Sequence, residues 1–539
     1  SSPTMYLLIK PGNYQYRFPK QGDGTFINTT DPAMRGVVVT KNADNSRTLS
    51  MVDGWTYKFD SSGKLIELSD RNGNKLTFVR RSDFEGGYLT EIVTAEGNRI
   101  TFNQTWIYDT FYRTDSITDS IGRVVQYIYE PDPFSSYPRL KKVFYPDGSL
   151  IEYEYDSSGR MSGIKNERGV LEVFNEYDTN NRVIRQTHAD GGTYTFSYTL
   201  GGGNITETSM TAPNGAVTIW RFYDDLGNFR DKYITQVTTP EGITKYEREL
   251  GTNLLKSVTD PLNRKMTYTY YPNGQTETLT DNLGNITRYE YEPIYGLPSK
   301  ITDANLKDTT YTYTYDANNK ITKIEIQDPL LKKTTVNFNS YGMPTDITDP
   351  NNSTTSLLYE NTGKPAEPTK VIDPLNNTTT MTYDAIGRLW TVIDAKGKTT
   401  TYTYDFMDRI TEVKDPLGFV TRYGYSWDGK LTVVSDAKNQ SIRYNYNSRG
   451  RLSKMTDQLG RVESYEYDTS DNLISMTDRK VQITTYIYDL MNRITRADYA
   501  EGSYTTYAYD TLGRLTTITD LVSGTISYTY TGTGCGTGC

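Results

Sequence analysis

Histidine catalysis needs an imidazole held against a positioned nucleophile, and this chain of 539 residues has a single histidine, His188. In Thr187-His188-Ala189-Asp190-Gly191-Gly192 it reads as an exposed turn residue, and neither a triad nor a histidine-rich metal site can be assembled around it. Carboxylates are abundant, but they recur with the period of the turns, where Asp suits the local backbone, so no glycosidase pair stands out. Asp70-Arg71-Asn72-Gly73-Asn74 has the look of a calcium loop without its distal bidentate Glu, and is expected to be a hairpin turn. Cys535 and Cys539, in Thr533-Gly534-Cys535-Gly536-Thr537-Gly538-Cys539, make a weak metal site without a partner histidine. The expectation for them is a disulfide, within this tail or between chains, with free thiols left by truncation as the other reading. No enzyme, metal or cofactor is expected.

Two other features carry bland readings. The Asn-x-Ser/Thr triplets at Asn28, Asn103, Asn204, Asn285 and Asn376 are expected by coincidence in a chain so rich in Asn and Thr. Tyr rings and Thr hydroxyls on one surface could stack on and bond a sugar, but the same rings are first needed for packing.

The elements that would position any of these residues must be built from an unusual supply. Only 35% of residues are hydrophobic, and 47 are Tyr, whose polar tip resists full burial. A thick dry core cannot be filled from this, whereas a thin wall with an amphipathic face can. Stretches of Leu, Ala, Glu and Lys at helical spacing are missing, so the chain reads as strand and turn almost throughout. The formal charge is −8 and spread without blocks, which makes nucleic acid a poor partner. No run of 18 or more apolar residues is present to span a membrane as a helix. The start, Ser1-Ser2-Pro3-Thr4, has neither an initiator Met nor a leader, so a signal peptide is expected to have been removed already.

An internal repeat carries most of the information. The second Tyr of a Tyr-x-Tyr unit recurs at Tyr383, Tyr404, Tyr425, Tyr446, Tyr467, Tyr488, Tyr509 and Tyr530, each step being 21 residues. Upstream the steps loosen to between 21 and 24 through Tyr270, Tyr291, Tyr315, Phe338 and Tyr359, with weaker copies back to Phe59. One unit reads as a β-hairpin. In Thr400-Thr401-Tyr402-Thr403-Tyr404 the alternation puts both Tyr on one face and Thr on the other. Asp384-Ala385-Ile386-Gly387 and Asp415-Pro416-Leu417-Gly418 supply the turns, through a side chain that bonds its own backbone and a Gly that accepts positive φ. Apolar residues after the first turn stand three apart, as Leu389 and Val392 or Leu515 and Ile518 do, which strict alternation would send to opposite faces. Either a bulge separates them or the first belongs to the turn. A single hairpin is not stable alone, so each is expected to pair with its neighbours.

Tyr383-Asp384-Ala385-Ile386-Gly387-Arg388-Leu389 and Tyr509-Asp510-Thr511-Leu512-Gly513-Arg514-Leu515, followed by Asp394 and Asp520, resemble the Tyr-Asp-x-x-Gly-Arg-Leu consensus of the RHS/YD-repeat family. The resemblance covers roughly residues 51 to 530, and Trp55 to Asn74 looks like the lead-in region of bacterial members. It implies a spiralling β-sheet around a hollow space. Members include bacterial secreted proteins that encapsulate a C-terminal toxin, shell components of insecticidal toxin complexes, wall-associated proteins and adhesive teneurins. No positions match the closing core with its aspartate pair, so self-cleavage is not carried over. No toxin domain follows the repeats in this sequence.

The expected fold is therefore all-β: tandem YD-repeat hairpins forming a spiralling, shell- or tube-like β-sheet. Its expected parts are a non-repeat cap or lead-in segment at 1–50, degenerate repeats at 51–382, regular repeats at 383–530 and a Gly/Thr/Cys tail at 531–539. The candidate site residues are structural: the eight repeat tyrosines above, and the turn residues Asp384, Gly387, Arg388, Asp510, Gly513 and Arg514. The leading functional expectation is an extracellular bacterial structural protein whose repeats build a hollow or filament-forming wall. The alternatives are a toxin-encapsulating shell whose closing core and effector have been lost or trimmed, and an adhesin that binds glycans or partner cells. Expected partners are further copies or shell subunits at open sheet edges, and an enclosed cargo.

Overall fold

The computed structural model describes residues 5–10, 14–22, 24–29, 31–81, 88–107, 111–225, 227–228 and 233–530. Among these, every regular element is a β-strand, and 46 strands form one long antiparallel sheet. A separate hairpin, Met5–Lys10 with Tyr14–Pro19, precedes it.

One repeat shows why the sequence folds this way. Thr378–Tyr383 pairs with Leu389–Ile393, which pairs in turn with Thr399–Tyr404, so each strand meets its sequence neighbours on both sides. Connections are short enough that pairing never has to wait for distant chain. The spacing of three between apolar residues is resolved as a bulge. Tyr383 pairs with Leu389 and Thr382 with Thr391, leaving Trp390 as the extra residue. Strands ending in Tyr425, Tyr446, Tyr467, Tyr488 and Tyr509 repeat this shift at the same position. The inserted residue restores Leu389 and Val392 to one face and adds local twist to each hairpin.

The chain divides into two compact units. The first holds Ser1–Val124, Arg248–Lys256 and Met266–Tyr402; the second holds Val125–Glu247, Ser257–Lys265 and Thr403–Cys539. A continuous buried apolar cluster lies in the first unit, where Phe18, Phe26, Met34, Val37, Val39 and Leu49 pack under Tyr6, Leu8, Tyr16, Tyr57 and Phe59. Elsewhere fully buried apolar side chains are scattered, Val143, Leu254, Ile321 and Ala497 among them. The poor supply of aliphatic residues has produced a single-layer sheet whose half-buried Tyr face does the work of a core.

The tight turns demand left-handed backbone at one position each. Gly387 supplies it at φ 94°, whereas Val481 holds the equivalent place at φ 65° with a β-branched side chain. Val481→Gly is expected to raise the unfolding free energy by about 1 kcal/mol, the order of the strain relieved. Denaturant melts of the two proteins check it.

Candidate functional site

The repeat is built around an Asp that organises its turn. Asp384 Oδ1 accepts the amide N–H groups of Ile386 at 3.1 Å and Arg388 at 2.9 Å, while Arg388 Nε donates to Oδ2 at 2.6 Å. The backbone closes the same turn, with the Gly387 N–H donating to the Asp384 carbonyl and the Asp384 N–H to that of Arg388. Asp510, Gly513 and Arg514 repeat the arrangement, with Arg514 Nε 2.7 Å from Asp510 Oδ2. One carboxylate thus satisfies two backbone donors and fixes the arginine that follows.

The held arginine reaches the next hairpin. Arg514 stacks its guanidinium 4.4 Å from the ring centre of Tyr530, and Arg493 and Arg409 lie at 4.7 and 5.0 Å from Tyr509 and Tyr425; Arg451, which lacks the Asp, still lies 4.8 Å from Tyr467. The tyrosine completes the link. Tyr383, Tyr425, Tyr446, Tyr467, Tyr488, Tyr509 and Tyr530 donate their hydroxyls at 2.6–2.9 Å to the carbonyl oxygen 15 residues earlier, at the start of the preceding strand or just before it. Tyr404 ends the strand Thr399–Tyr404 at the equivalent place. Burial pushes the phenols of Tyr383, Tyr446 and Tyr488 above their ordinary range, so they remain neutral donors at physiological pH. Tyr, Asp, Gly and Arg of the motif therefore form one lock between successive hairpins.

The lock has a pH signature. Burial raises the carboxyls of Asp384, Asp489 and Asp510, but the paired arginine and the turn amides outweigh it and hold each below the usual carboxylate value. A group depressed in the folded state contributes stability above its unfolded pKa of about 3.9, and that contribution is lost as pH falls through the folded value. Stability is thus expected to be insensitive to these groups near neutrality and to fall progressively below about pH 4. Equilibrium melts across an acid series measure it.

A second arrangement lies within each unit, where turns of an early pass of the sheet meet turns of a later pass. In the second unit Arg168 donates from Nη1 to the Asn447 carbonyl at 2.9 Å and from Nη2 to that of Ser448 at 3.0 Å. Its Nε lies 2.9 Å from Asp428 Oδ2, an acid whose side chain is only 7% exposed. Arg409 pairs with Asp147 at 3.1 Å, Arg451 with Asp190 at 2.9 Å and Arg493 with Glu241 at 2.5 Å. Asn214 bonds the Leu490 carbonyl and Asn492. Burial raises the carboxyl of Asp428, but Ser426, Lys430 and Arg168 together hold it below its usual range. In the first unit the contacts are to backbone: Arg35 Nε donates to the Pro272 carbonyl at 3.1 Å and Asn74 Nδ2 to that of Tyr341 at 3.0 Å.

The seam in the second unit follows a rule. Its early-pass members Asp147, Arg168, Asp190 and Asn214 each sit at the third position of a five-residue turn, and Glu241 lies in the tighter turn closed by Thr239 and Gly242. Its later-pass members lie in the turns at 405–409, 426–430, 447–451 and 489–493, which occupy the place of the Asp-x-x-Gly-Arg turn in the repeat. Sequence reading assigned turns but not this seam, although a signal existed. Ser426-Trp427-Asp428-Gly429-Lys430 and Asn447-Ser448-Arg449-Gly450-Arg451 depart from the motif, and Asn447 in place of Asp leaves Arg451 without its local carboxylate. Arg451 then pairs with Asp190 and Asp471.

The other candidates resolve simply. Asp70 to Asn74 is a tight turn in which Asp70 accepts the amides of Asn72 and Asn74, each at 2.8 Å. His188 is half-buried rather than exposed, ends the strand Val183–His188 and meets Tyr194 edge-on. Burial and Arg449 lower its pKa against the opposing pull of Asp190. Cys535 and Cys539 lie outside the described residues. Among the described residues no group of three or more His, Cys, Asp or Glu is placed to hold a metal ion, and no helix is long and apolar enough to cross a membrane.

Comparison with known proteins gives this geometry a context. The RHS Repeat family profile matches residues 177–217, 367–399, 383–420, 446–480 and 467–504. No curated protein matches the sequence. Among solved structures, that of TcdB2-TccC3 superposes with a TM-score of 0.56 at 14% identity, covering 97% of this chain and 35% of that one. TcdB2-TccC3-Cdc42 superposes with a TM-score of 0.54 at 14% identity, over 96% of this chain and 36% of that one. This chain therefore spans about a third of the length of the solved structures it matches, and shares their fold. The RHS repeat is thus detected at several positions of the chain, and the Tyr-to-carbonyl lock recurs where the profile matches.

Proposed function

We propose that this chain is a section of the wall of an encapsulating RHS shell, acting by containment and not by catalysis. The observation that carries the proposal is the seam. A ribbon of hairpins becomes a barrier only where its successive passes are joined, and here ion pairs join them turn by turn. The likeness to TcdB2-TccC3 supports the same reading, and favours the encapsulating shell over the extracellular structural protein with a hollow or filament-forming wall that was the leading expectation from sequence. The occupant of such a shell would be a cargo polypeptide, and the setting a bacterial secreted or cell-surface protein.

The reading is tested on the protein purified in its native length, by electron microscopy before and after treatment with protease. Hollow particles whose internal density survives proteolysis are expected. Solid particles, or open filaments with no protected content, would overturn it.

A further inference from the structure

Two long hairpins in the first unit part company at one end. Strand Tyr88–Thr94 meets strand Arg99–Ile107 through three backbone pairs, Glu91 with Thr101, Ile92 with Ile100 and Val93 with Arg99. Beyond them this ladder stops, while Arg99–Ile107 runs on beside Phe111–Asp119 as far as Ile107 with Phe111. Side chains close the interval that the backbone leaves open. Tyr88, the first residue of its strand, stacks on Tyr112 with ring centres 3.6 Å apart and planes 29° from parallel. Tyr112 in turn meets Trp106 at 4.5 Å. Both tyrosines are half-buried and Trp106 is 36% exposed, so solvent reaches the trio.

Neither tyrosine stands at the strand end that the repeat tyrosines occupy. Tyrosines that meet elsewhere are farther apart, Tyr271 with Tyr291 and Tyr295 with Tyr315 at 6.1 Å and Tyr313 with Tyr315 at 6.4 Å. Hydroxyls there are also tethered, those of Tyr271, Tyr291 and Tyr313 donating to backbone carbonyls. Two phenol rings held in contact turn a reaction between encountering molecules into one within the chain. From this geometry we infer that Tyr88 and Tyr112 are an oxidative cross-linking site, joined as dityrosine by a haem peroxidase using hydrogen peroxide. Each phenol gives up one electron and one proton, and the two phenoxyl radicals couple through a ring carbon next to the oxygen. Each coupled carbon then sheds its hydrogen as a proton while the oxygen regains one, which restores both aromatic rings and both hydroxyls. Two hydrogen atoms leave in all, and they reduce the peroxide to two molecules of water. The new bond closes the chain from Tyr88 to Tyr112 into a covalent loop and pins the two hairpins where their ladder is missing.

Treating the dilute full chain with a haem peroxidase and hydrogen peroxide tests the inference, the products being digested and their peptides identified by mass spectrometry. A peptide pair joined through Tyr88 and Tyr112, lighter by two hydrogen atoms, is expected as the main product within one molecule, together with dityrosine fluorescence. Tyr88→Phe and Tyr112→Phe keep a ring to stack but cannot form the phenoxyl radical. Each is expected to lose that product entirely while the circular dichroism spectrum stays unchanged. Absence of the product in a reaction where free tyrosine couples would overturn the inference. So would coupling spread evenly over the other tyrosines, coupling only between molecules, or oxidation of Trp106 in its place.

Discussion

Arg168→Ala is expected to lower the unfolding free energy of the second unit by about 3 kcal/mol, the range for removing one partner of a buried ion pair. The loss has two parts. Asp428 keeps Lys430 at 3.1 Å but loses its cross-seam cation, and the carbonyls of Asn447 and Ser448 lose their donors. Arg168→Lys restores charge without the planar fork that reaches both carbonyls, so it is expected to recover less than half of the deficit. Because Asp428 is nearly buried, added salt should change the deficit little. Thermal melts give the global effect. Hydrogen exchange locates it, with faster exchange expected at 166–170 and 426–451 and no change near residue 330. Uniform acceleration along the chain would show that the seam is not a local device.

Tyr467→Ala is expected to lower stability by about 2–3 kcal/mol, less than full truncation of a buried ring because this one is half-buried. Tyr467→Phe isolates the hydroxyl. It leaves the Leu452 carbonyl without the donor that lies at 2.9 Å and is expected to have an effect of about 1 kcal/mol. The difference between the two variants includes the stacking of Arg451, about 0.5–1 kcal/mol in such a setting. In a repeat protein such a change is felt by the unit and its neighbours. Exchange protection should therefore fall at residues 452–488 first. An effect of Tyr467→Phe as large as that of Tyr467→Ala would mean that the hydroxyl, not the ring, holds the hairpin.

What could be read from sequence follows the range of each interaction. Strand, turn and repeat period are local, and Tyr383 to Tyr530 declare them through side-chain type and spacing alone. The purpose of the Arg in the motif was less visible, because its ring partner lies in the next unit. The bulge at Trp390 was undecided, since periodicity marks an irregularity without saying which residue is extra. The seam was not read at all. In the second unit its pairs join residues 252 to 280 positions apart, such as Glu241 with Arg493 and Arg168 with Ser448, and no periodic signal reaches that far. Departures from the motif at Ser426 and Asn447 were its trace.

The reach of the tyrosine hydroxyl also bears on how the polypeptide is made. Each bond needs only the preceding 15 residues to have left the ribosome, so hairpins can zip in the order of translation, every new one templated by the last. The salt-bridged pairs across distant chain must wait until some 250 further residues have emerged, by which time both partners sit on finished strands. Biogenesis is thereby separated into a vectorial stage that guards a nascent edge and a later annealing stage, and a stalled intermediate would be protease-resistant before it is sealed.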